Sequence, residues 1–239
     1  MWFAASGVTR SVNGMTFQVD PRARWQFSGQ YDRGAAAKLV DLVKPGDEVW
    51  NVGANIGVYV LQLCRLVGPT GHVVAFEPNQ EAATLLRRNV SLNGFDARVT
   101  VVTAAVGEKT GEVTFYSDGA APMGRAGVPN PQLANAVAYQ VPVTTLDSEF
   151  HSRGRAPAGL VMDIEGWEIG ALLASRVLWQ QTVTQWAIVE LHPTAWEWSG
   201  HSRAQFEGLC AELNLEITTL SDDPDPFTAN GQVLLQRRR

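Results

Sequence analysis

The chain has 239 residues, of which 45% are hydrophobic and 18% charged, and its formal net charge is −5. That length suits one α/β domain with a full core, and the composition is that of an ordinary globular protein. An acidic chain carries no overall basic footprint, which argues against a nucleic-acid or anionic-membrane partner, and the closing Arg237-Arg238-Arg239 reads as a solvated tail.

Residues 1–33 have mixed polarity and read as a leading segment with a short hairpin-like pattern. Its opening, MWFAASGVTR, lacks the apolar run of a signal peptide or membrane span, so a cytoplasmic location is expected. A helix is predicted over RGAAAKLVDLV, where Leu39, Leu42 and Val43 recur at helical spacing. Lys44-Pro45-Gly46-Asp47 is a turn, with proline and glycine in the favoured central positions. A strand follows at 48–52, then a helix from about Gly57 to Val67, a break at GPTG, and a second strand at 72–76. Asn79 caps the next helix, whose face is Ala82, Leu85, Leu86 and Val90, and Gly94 ends it.

RVTVVTAAV (98–106) reads as one β-branched strand, and GEVTFYS (111–117) alternates like a strand exposed on one side. Residues 117–135 are rich in Gly, Ala and Pro with no period, the pattern of a mobile lid or, alternatively, of a disordered loop. Strand character resumes in AVAYQVPVTTL. GLVMDI (159–164) is a buried strand, followed by a helix with the face Ile169, Leu172, Leu173 and Val177. WAIVEL (186–191) is another buried strand, RAQFEGLCAEL an amphipathic helix, and LEITTL and QVLLQ the last two strands. Cys64 and Cys210 fall among apolar neighbours in helical patterns and read as buried free thiols; no Cys/His spacing suits zinc. Strand–helix alternation from residue 48 onward predicts a mainly parallel sheet with helices on both faces, in a single domain spanning 1–239.

The junction VWNVGANIGVYVLQLC (49–64) passes from strand to helix through Gly53 and Gly57, the arrangement that brings backbone N–H groups against a nucleotide. Its spacing, G-x-x-x-G, lacks the middle glycine of a dinucleotide fingerprint, and no G-x-x-x-x-G-K-[S/T] occurs. Glu77 closes the second strand 24 residues after Gly53, where a carboxylate accepts hydrogen bonds from two ribose hydroxyls. The alternative for Glu77 is a surface acid beside Pro78. Ribose without pyrophosphate points to S-adenosylmethionine.

NVGANIGVY, VVAFEPN, RRNVSLNGF, AAVGEKTGEVTFY, VPVTTLD and VMDIEGWE, in that order over about residues 30–192, resemble the successive motifs of the FkbM family of S-adenosylmethionine-dependent methyltransferases. The resemblance implies a class I methyltransferase (Rossmann-like) α/β fold, with a seven-stranded, mostly parallel sheet whose final strand runs antiparallel. It also implies O-methylation of small molecules, often hydroxyls of sugars or natural-product scaffolds. The family usually has an acid where this chain has Asn51, a departure expected to alter a contact near the methionine end of the cofactor. The cofactor site is taken as Gly53, Ala54, Asn55, Gly57, Glu77, Pro78, Ala105 and Asp163.

Methyl transfer to an alcohol requires alignment, exclusion of water and removal of a proton. Two strand ends are polar, Asp163-Ile164-Glu165-Gly166 and Glu190-Leu191-His192-Pro193, and these strands are expected to be neighbours. His192 is the candidate base, with Asp163 and Glu190 beside it; a histidine merely hydrogen-bonded at a strand end is the alternative. Asp163 would hold the cofactor's ammonium, orient the hydroxyl or cap the following helix, a role Glu165 would fill as well. Asp163, Glu190 and His192 together also form an oxygen-rich set suited to a divalent metal, although no metal is assigned. Trp196 and Trp198 either stack on a ring substrate or plug the helix that follows, and Arg22, Arg24 and Trp25 close the other side. The expected partner is a small-molecule acceptor, and a homodimer is compatible with the chain. Competing readings are an RNA or DNA methyltransferase, a catalytically silent cofactor-binding scaffold, and an NAD-dependent oxidoreductase.

Overall fold

The computed structural model describes residues 6–117, 124–126, 137–221 and 224–238. The chain opens on an antiparallel hairpin, β1 (Val8–Val12) and β2 (Met15–Val19). Its turn residues, Asn13 and Gly14, both take positive φ, the conformation that matches the twist of a two-residue hairpin. After α1 (Arg33–Leu42) comes β3 (Glu48–Val52), every residue of which is buried, as a central strand covered on both faces requires. Next is α2 (Val58–Val67), apolar almost all round and largely buried. β4 (His72–Phe76) leads into α3 (Gln80–Leu92), where the Asn79 side chain accepts hydrogen bonds from the Glu81 and Ala82 amides. Asp20, buried after β2, pairs with Arg22 and with Arg88 of α3 and so ties the leading segment to the fold.

The predicted strand over 98–106 is divided. β5 (Val99–Val102) is the edge of the main sheet, whereas β6 (Ala105–Val106) turns away to pair with a later strand. β7 (Gly111–Ser117), β8 (Gly124–Ala126) and β9 (Val137–Thr144) complete a second sheet, of order β6-β9-β7-β8, which sequence periodicity did not separate from the first. Apart from Ser117 and 124–126, the expected lid over 117–135 lies outside the described residues.

α4 (Leu146–Arg153) begins where Thr145 Oγ1 accepts the Ser148 amide, a cap not recognised in the sequence. β10 (Gly159–Met162) leads to α5 (Glu168–Leu173) and α6 (Arg176–Gln180), not to one helix through Val177. The break has a local cause: Ser175 Oγ donates to the Leu172 carbonyl, while the Asp147 carboxylate accepts the Val177 and Leu178 amides and starts a new helix. β11 (Trp186–Leu191), α7 (Pro193–Ser199), α8 (Arg203–Glu212), β12 (Leu215–Thr219) and β13 (Gly231–Arg237) close the chain. Proline at the first position of α7 lacks only an N–H that would have no helical partner.

The main sheet has seven strands in the order β12-β13-β11-β10-β3-β4-β5. β13 runs antiparallel to both its neighbours, and the other adjacent pairs are parallel. Side chains alternate across it: Val49 and Ala75 join one apolar cluster, with α1, α2 and α3, while Trp50, Val52 and Phe76 join the other, with α5 and α8. Strand order reverses between β3 and β10, which opens a crevice at their carboxyl ends.

Candidate active site

Gly53 follows β3 into that crevice. It takes φ +81°, and a Cβ there would stand 1.8 Å from the Asp163 carbonyl oxygen, so only glycine lets the two strand ends approach. The Gly53 and Ala54 amides both donate to the Phe76 carbonyl, which fixes the turn against the end of β4.

Glu77 is buried at that end, at 6% exposure. Its Oε2 accepts the Asn55 amide at 2.7 Å and its Oε1 the Asn79 amide at 2.8 Å. Burial pushes its carboxyl up to about 7, against the two amides, which favour the charged form. Each oxygen retains a lone pair for a further donor. Asn55, at φ +47°, brings its Oδ1 into a buried position with no hydrogen-bond partner among the described residues.

The second polar group is built from β10, β11 and α5. His192 is 3% exposed, and its Nδ1–H donates to Glu168 Oε1 at 2.9 Å. Glu168 is fully buried and also accepts the Gly166 amide at 2.8 Å and Trp196 Nε1–H at 2.7 Å, so the imidazole is held by a carboxylate that is itself fixed. The other ring nitrogen, Nε2, points at three carboxylates: Asp163 at 3.7 Å, Glu190 at 3.8 Å and Glu165 at 3.9 Å. Burial opposes charge on His192, yet the hydrogen bond and charge of Glu168, with Asp163 and Glu165, push it up to about 9. Burial and the Glu190 charge hold Asp163 well above the usual carboxylate range, and burial likewise raises Glu190; in each case His192 opposes the shift. The neighbouring carboxylates therefore make His192 hold its proton more tightly than its unperturbed value suggested. β10 and β11 are adjacent, as expected, and they bring Asp163, Glu190 and His192 together.

Both groups border one cavity of about 720 Å³. Gly53, Ala54, Asn55, Glu77, Pro78, Ala105 and Asp163 line it, as does Glu165; His192 and Glu190 sit behind the latter two. Gly57 does not line it. Its φ of +96° and a Cβ position 2.5 Å from Leu86 Cδ1 give it a packing role at the head of α2. Asn51 does not line it either: the side chain is buried and its Nδ2–H donates to the Val161 carbonyl at 3.3 Å, so the residue bridges two strands beneath the site.

Trp25 lines the cavity mouth, but Arg22 is engaged by Asp20 and Arg24 by the Pro21 carbonyl. Trp196 is buried and stacks on Phe206 with ring centroids 5.6 Å apart, so it is a core plug and not a substrate platform; Trp198 is exposed and outside the lining. Neither Asp163 nor Glu165 caps α5, whose N-cap, Trp167, has no side-chain cap bond.

Sequence reasoning missed several lining residues. Phe115 and Val143 come from the second sheet, and Tyr31 and Tyr59 form an edge-to-face pair with centroids 5.5 Å apart. Tyr59 donates to Asp32 at 2.9 Å, and burial with the Asp32 charge pushes both phenols up. Glu168 was missed as well; its one local signal is an acid in the first turn of an otherwise apolar helix.

A family model described as the methyltransferase FkbM domain matches residues 51–220. The chain belongs to this family of S-adenosylmethionine-dependent methyltransferases. Solved structures with this fold include methyltransferase FkbM from Methylobacillus flagellatus, at 16% identity and a TM-score of 0.53, covering 84% of this chain and 50% of that one. The chain thus spans half the length of that relative. Aeropyrum pernix fibrillarin, solved with natively bound S-adenosyl-L-methionine, has 12% identity and a TM-score of 0.54 over 98% of this chain and 84% of that one. An rRNA methylase from Streptococcus thermophilus has 10% identity and a TM-score of 0.53 over 86% and 95%.

The residues of this FkbM domain fit S-adenosylmethionine. The Gly53 turn leaves space that a Cβ would fill, the Glu77 oxygens suit two ribose hydroxyls, and Asn55 Oδ1 is a buried acceptor awaiting a donor. Among the described residues no helix is long and apolar enough to cross a membrane.

Proposed function

We propose that this methyltransferase acts on a hydroxyl of a small molecule, a sugar or a natural-product scaffold. The observation that carries the reading is the His192–Asp163–Glu190 cluster, whose Asp163 lines the cavity where the Gly53 turn meets it, with His192 and Glu190 behind it. Bound S-adenosylmethionine supplies an activated methyl, whose transfer breaks the S–C bond, leaves its electron pair on sulfur and requires the acceptor oxygen to lose its proton. Glu77 and Asn55 would hold the nucleoside end. The cluster positions the hydroxyl and takes its proton, because an aliphatic alcohol does not ionise alone at neutral pH. Burial of Glu168 and His192 keeps that geometry fixed.

Size and charge support the acceptor class. The cavity of about 720 Å³, within the roughly 300–1,000 Å³ range of small-molecule sites, includes the cofactor end, so the space left for an acceptor is small. Among the described residues the lining holds four carboxyl groups, those of Glu77, Glu108, Asp163 and Glu165, against one ammonium, that of Lys109. Such a wall repels the phosphates of a nucleic acid and accommodates neutral or cationic molecules. The test is transfer from methyl-labelled S-adenosylmethionine to a panel of sugars, hydroxylated macrocycles and RNA, with the modified atom located by NMR. An O-methyl product in the small-molecule arms is expected. Label entering RNA alone would overturn the reading.

A further inference from the structure

We propose that His192 Nε2, Asp163 Oδ1 and Glu165 Oε2 bind one divalent cation of the Mn²⁺/Mg²⁺ class. Its binding stands on geometry alone, and its role rests on the O-methylation proposed above. One ligand atom from each residue lies within 4.8 Å of the others. Nε2 is 3.7 Å from Asp163 and 3.9 Å from Glu165, too long for hydrogen bonds. Two donors each about 2.2 Å from a shared cation lie about 3.1–3.6 Å apart at octahedral or tetrahedral angles, so a contraction of a few tenths of an ångström brings each carboxylate oxygen into range of Nε2. The two carboxylates, within 4.8 Å of each other, need close by no more than about 1.7 Å.

The His192 and Asp163 ligand atoms are aimed and unused. His192 is 3% exposed, and its Nε2 makes no hydrogen bond among the described residues, because Nδ1 is committed to Glu168. A histidine that donates its other N–H to a fixed carboxylate is the usual support of a metal-binding imidazole. Asp163 Oδ1 is buried with no hydrogen-bond partner, and neither Asp163 nor Glu190 has a Lys or Arg ion-pair partner among the described residues. Two carboxylates with no thiolate suit Mn²⁺ or Mg²⁺ over thiophilic ions, and the imidazole favours Mn²⁺ of the two. Asp163 and Glu165 line the cavity, so three protein ligands leave open positions facing it. An acceptor hydroxyl binding there would have its acidity raised. Its proton would pass to Glu190, the carboxylate 3.8 Å from Nε2 that the ligand set leaves over.

The test uses the full chain, treated with EDTA, desalted and titrated with MnCl₂ while electron paramagnetic resonance follows free Mn²⁺. One Mn²⁺ per chain is expected, with pulsed spectra showing coupling to an imidazole nitrogen. Glu165→Gln changes a side chain that is 42% exposed, so the variant should fold, and it should weaken Mn²⁺ binding by about tenfold or more. His192→Gln should abolish the nitrogen coupling, and the exposed acid variant Glu197→Gln, outside the ligand set, should leave affinity within about twofold. No bound Mn²⁺ in the wild type, or unchanged affinity in Glu165→Gln, would overturn the site. With a hydroxyl acceptor, chelation should stop methyl transfer and Mn²⁺ restore it. Full transfer by the chelated protein would overturn the cation's role and leave O-methylation standing. Mn²⁺ binding with methyl transfer to RNA alone would leave the site and overturn O-methylation.

Discussion

The two ends of the cavity are built differently. The end formed by Gly53, Asn55 and Glu77 is made of backbone: a turn, two amides donating to one carboxylate, and a glycine that lets two strand ends touch. The end formed by Asp163, Glu165, Glu190 and His192 is made of side chains from two strand ends, with His192 held by Glu168 from a third element. Backbone construction makes the first end depend on space and conformation around one titrating carboxylate, whereas the second depends on the mutual orientation of several charged groups. Damage to the two should therefore show in different measurements.

The largest effect is expected at the side-chain end. His192→Gln retains an N–H for Glu168 but removes the imidazole nitrogen facing the carboxylates. With an acceptor in hand, kcat should fall by about 10²–10⁴, while affinity for S-adenosylhomocysteine stays within about threefold, because His192 does not line the cavity. Loss of both together would erase the distinction between the two ends.

Gly53→Ala attacks the backbone end. The added Cβ meets a main-chain oxygen at 1.8 Å, which no rotamer relieves, and the left-handed conformation adds strain. Urea unfolding should show a loss of about 3 kcal/mol or more, and the surviving folded fraction should bind cofactor poorly. A stable, cofactor-binding alanine variant would mean that the strand ends part readily. A smaller loss, about 1–3 kcal/mol, is expected for Glu168→Gln, since a single amide oxygen cannot serve all the donors the carboxylate accepts. An unchanged denaturation midpoint would show that Glu168 is not what anchors the histidine.

The same contrast explains what could be read from sequence. Local spacing announced Gly53 and Glu77, because a strand–glycine–helix turn and an acid at the next strand end are short-range patterns. Neighbouring of β10 and β11 followed from fold resemblance and brought Asp163, Glu190 and His192 within reach of one another. Glu168 was not legible: it lies 24 positions from His192, and only the packing of α5 against α7 pairs them. Ser175 and Asp147 broke a helix that apolar periodicity predicted as continuous, since periodicity carries no information on side chains that compete for backbone donors. The second sheet was hidden for a related reason. β5 and β6 read as one β-branched run, and the switch at Thr103-Ala104 depends on β9, far along the chain.

The smallest expected effect is the most diagnostic of the backbone end. Glu77→Ala should weaken S-adenosylhomocysteine binding by about 1.5–3 kcal/mol, as for hydrogen bonds to a charged group, and Glu77→Gln should do less. The wild-type protein should also report this contact through pH. Burial raises the Glu77 carboxyl to about 7 from an ordinary 4.5, so the folded, cofactor-free protein retains a proton that the unfolded chain has released. Its contribution to stability is fully present below 4.5 and is lost as pH rises through 7. Cofactor binding has the opposite sign, because ribose hydroxyls donate best to the ionised carboxylate. Affinity should rise with pH up to about 7, by at most about tenfold per unit, and then level off. Calorimetric titration of wild type and Glu77→Gln from about pH 5.5 to about pH 8.5 separates this group from others, since only the wild type should keep the bend near 7. If both proteins show the same bend, another group is titrating, and the ribose contact moves elsewhere in the turn.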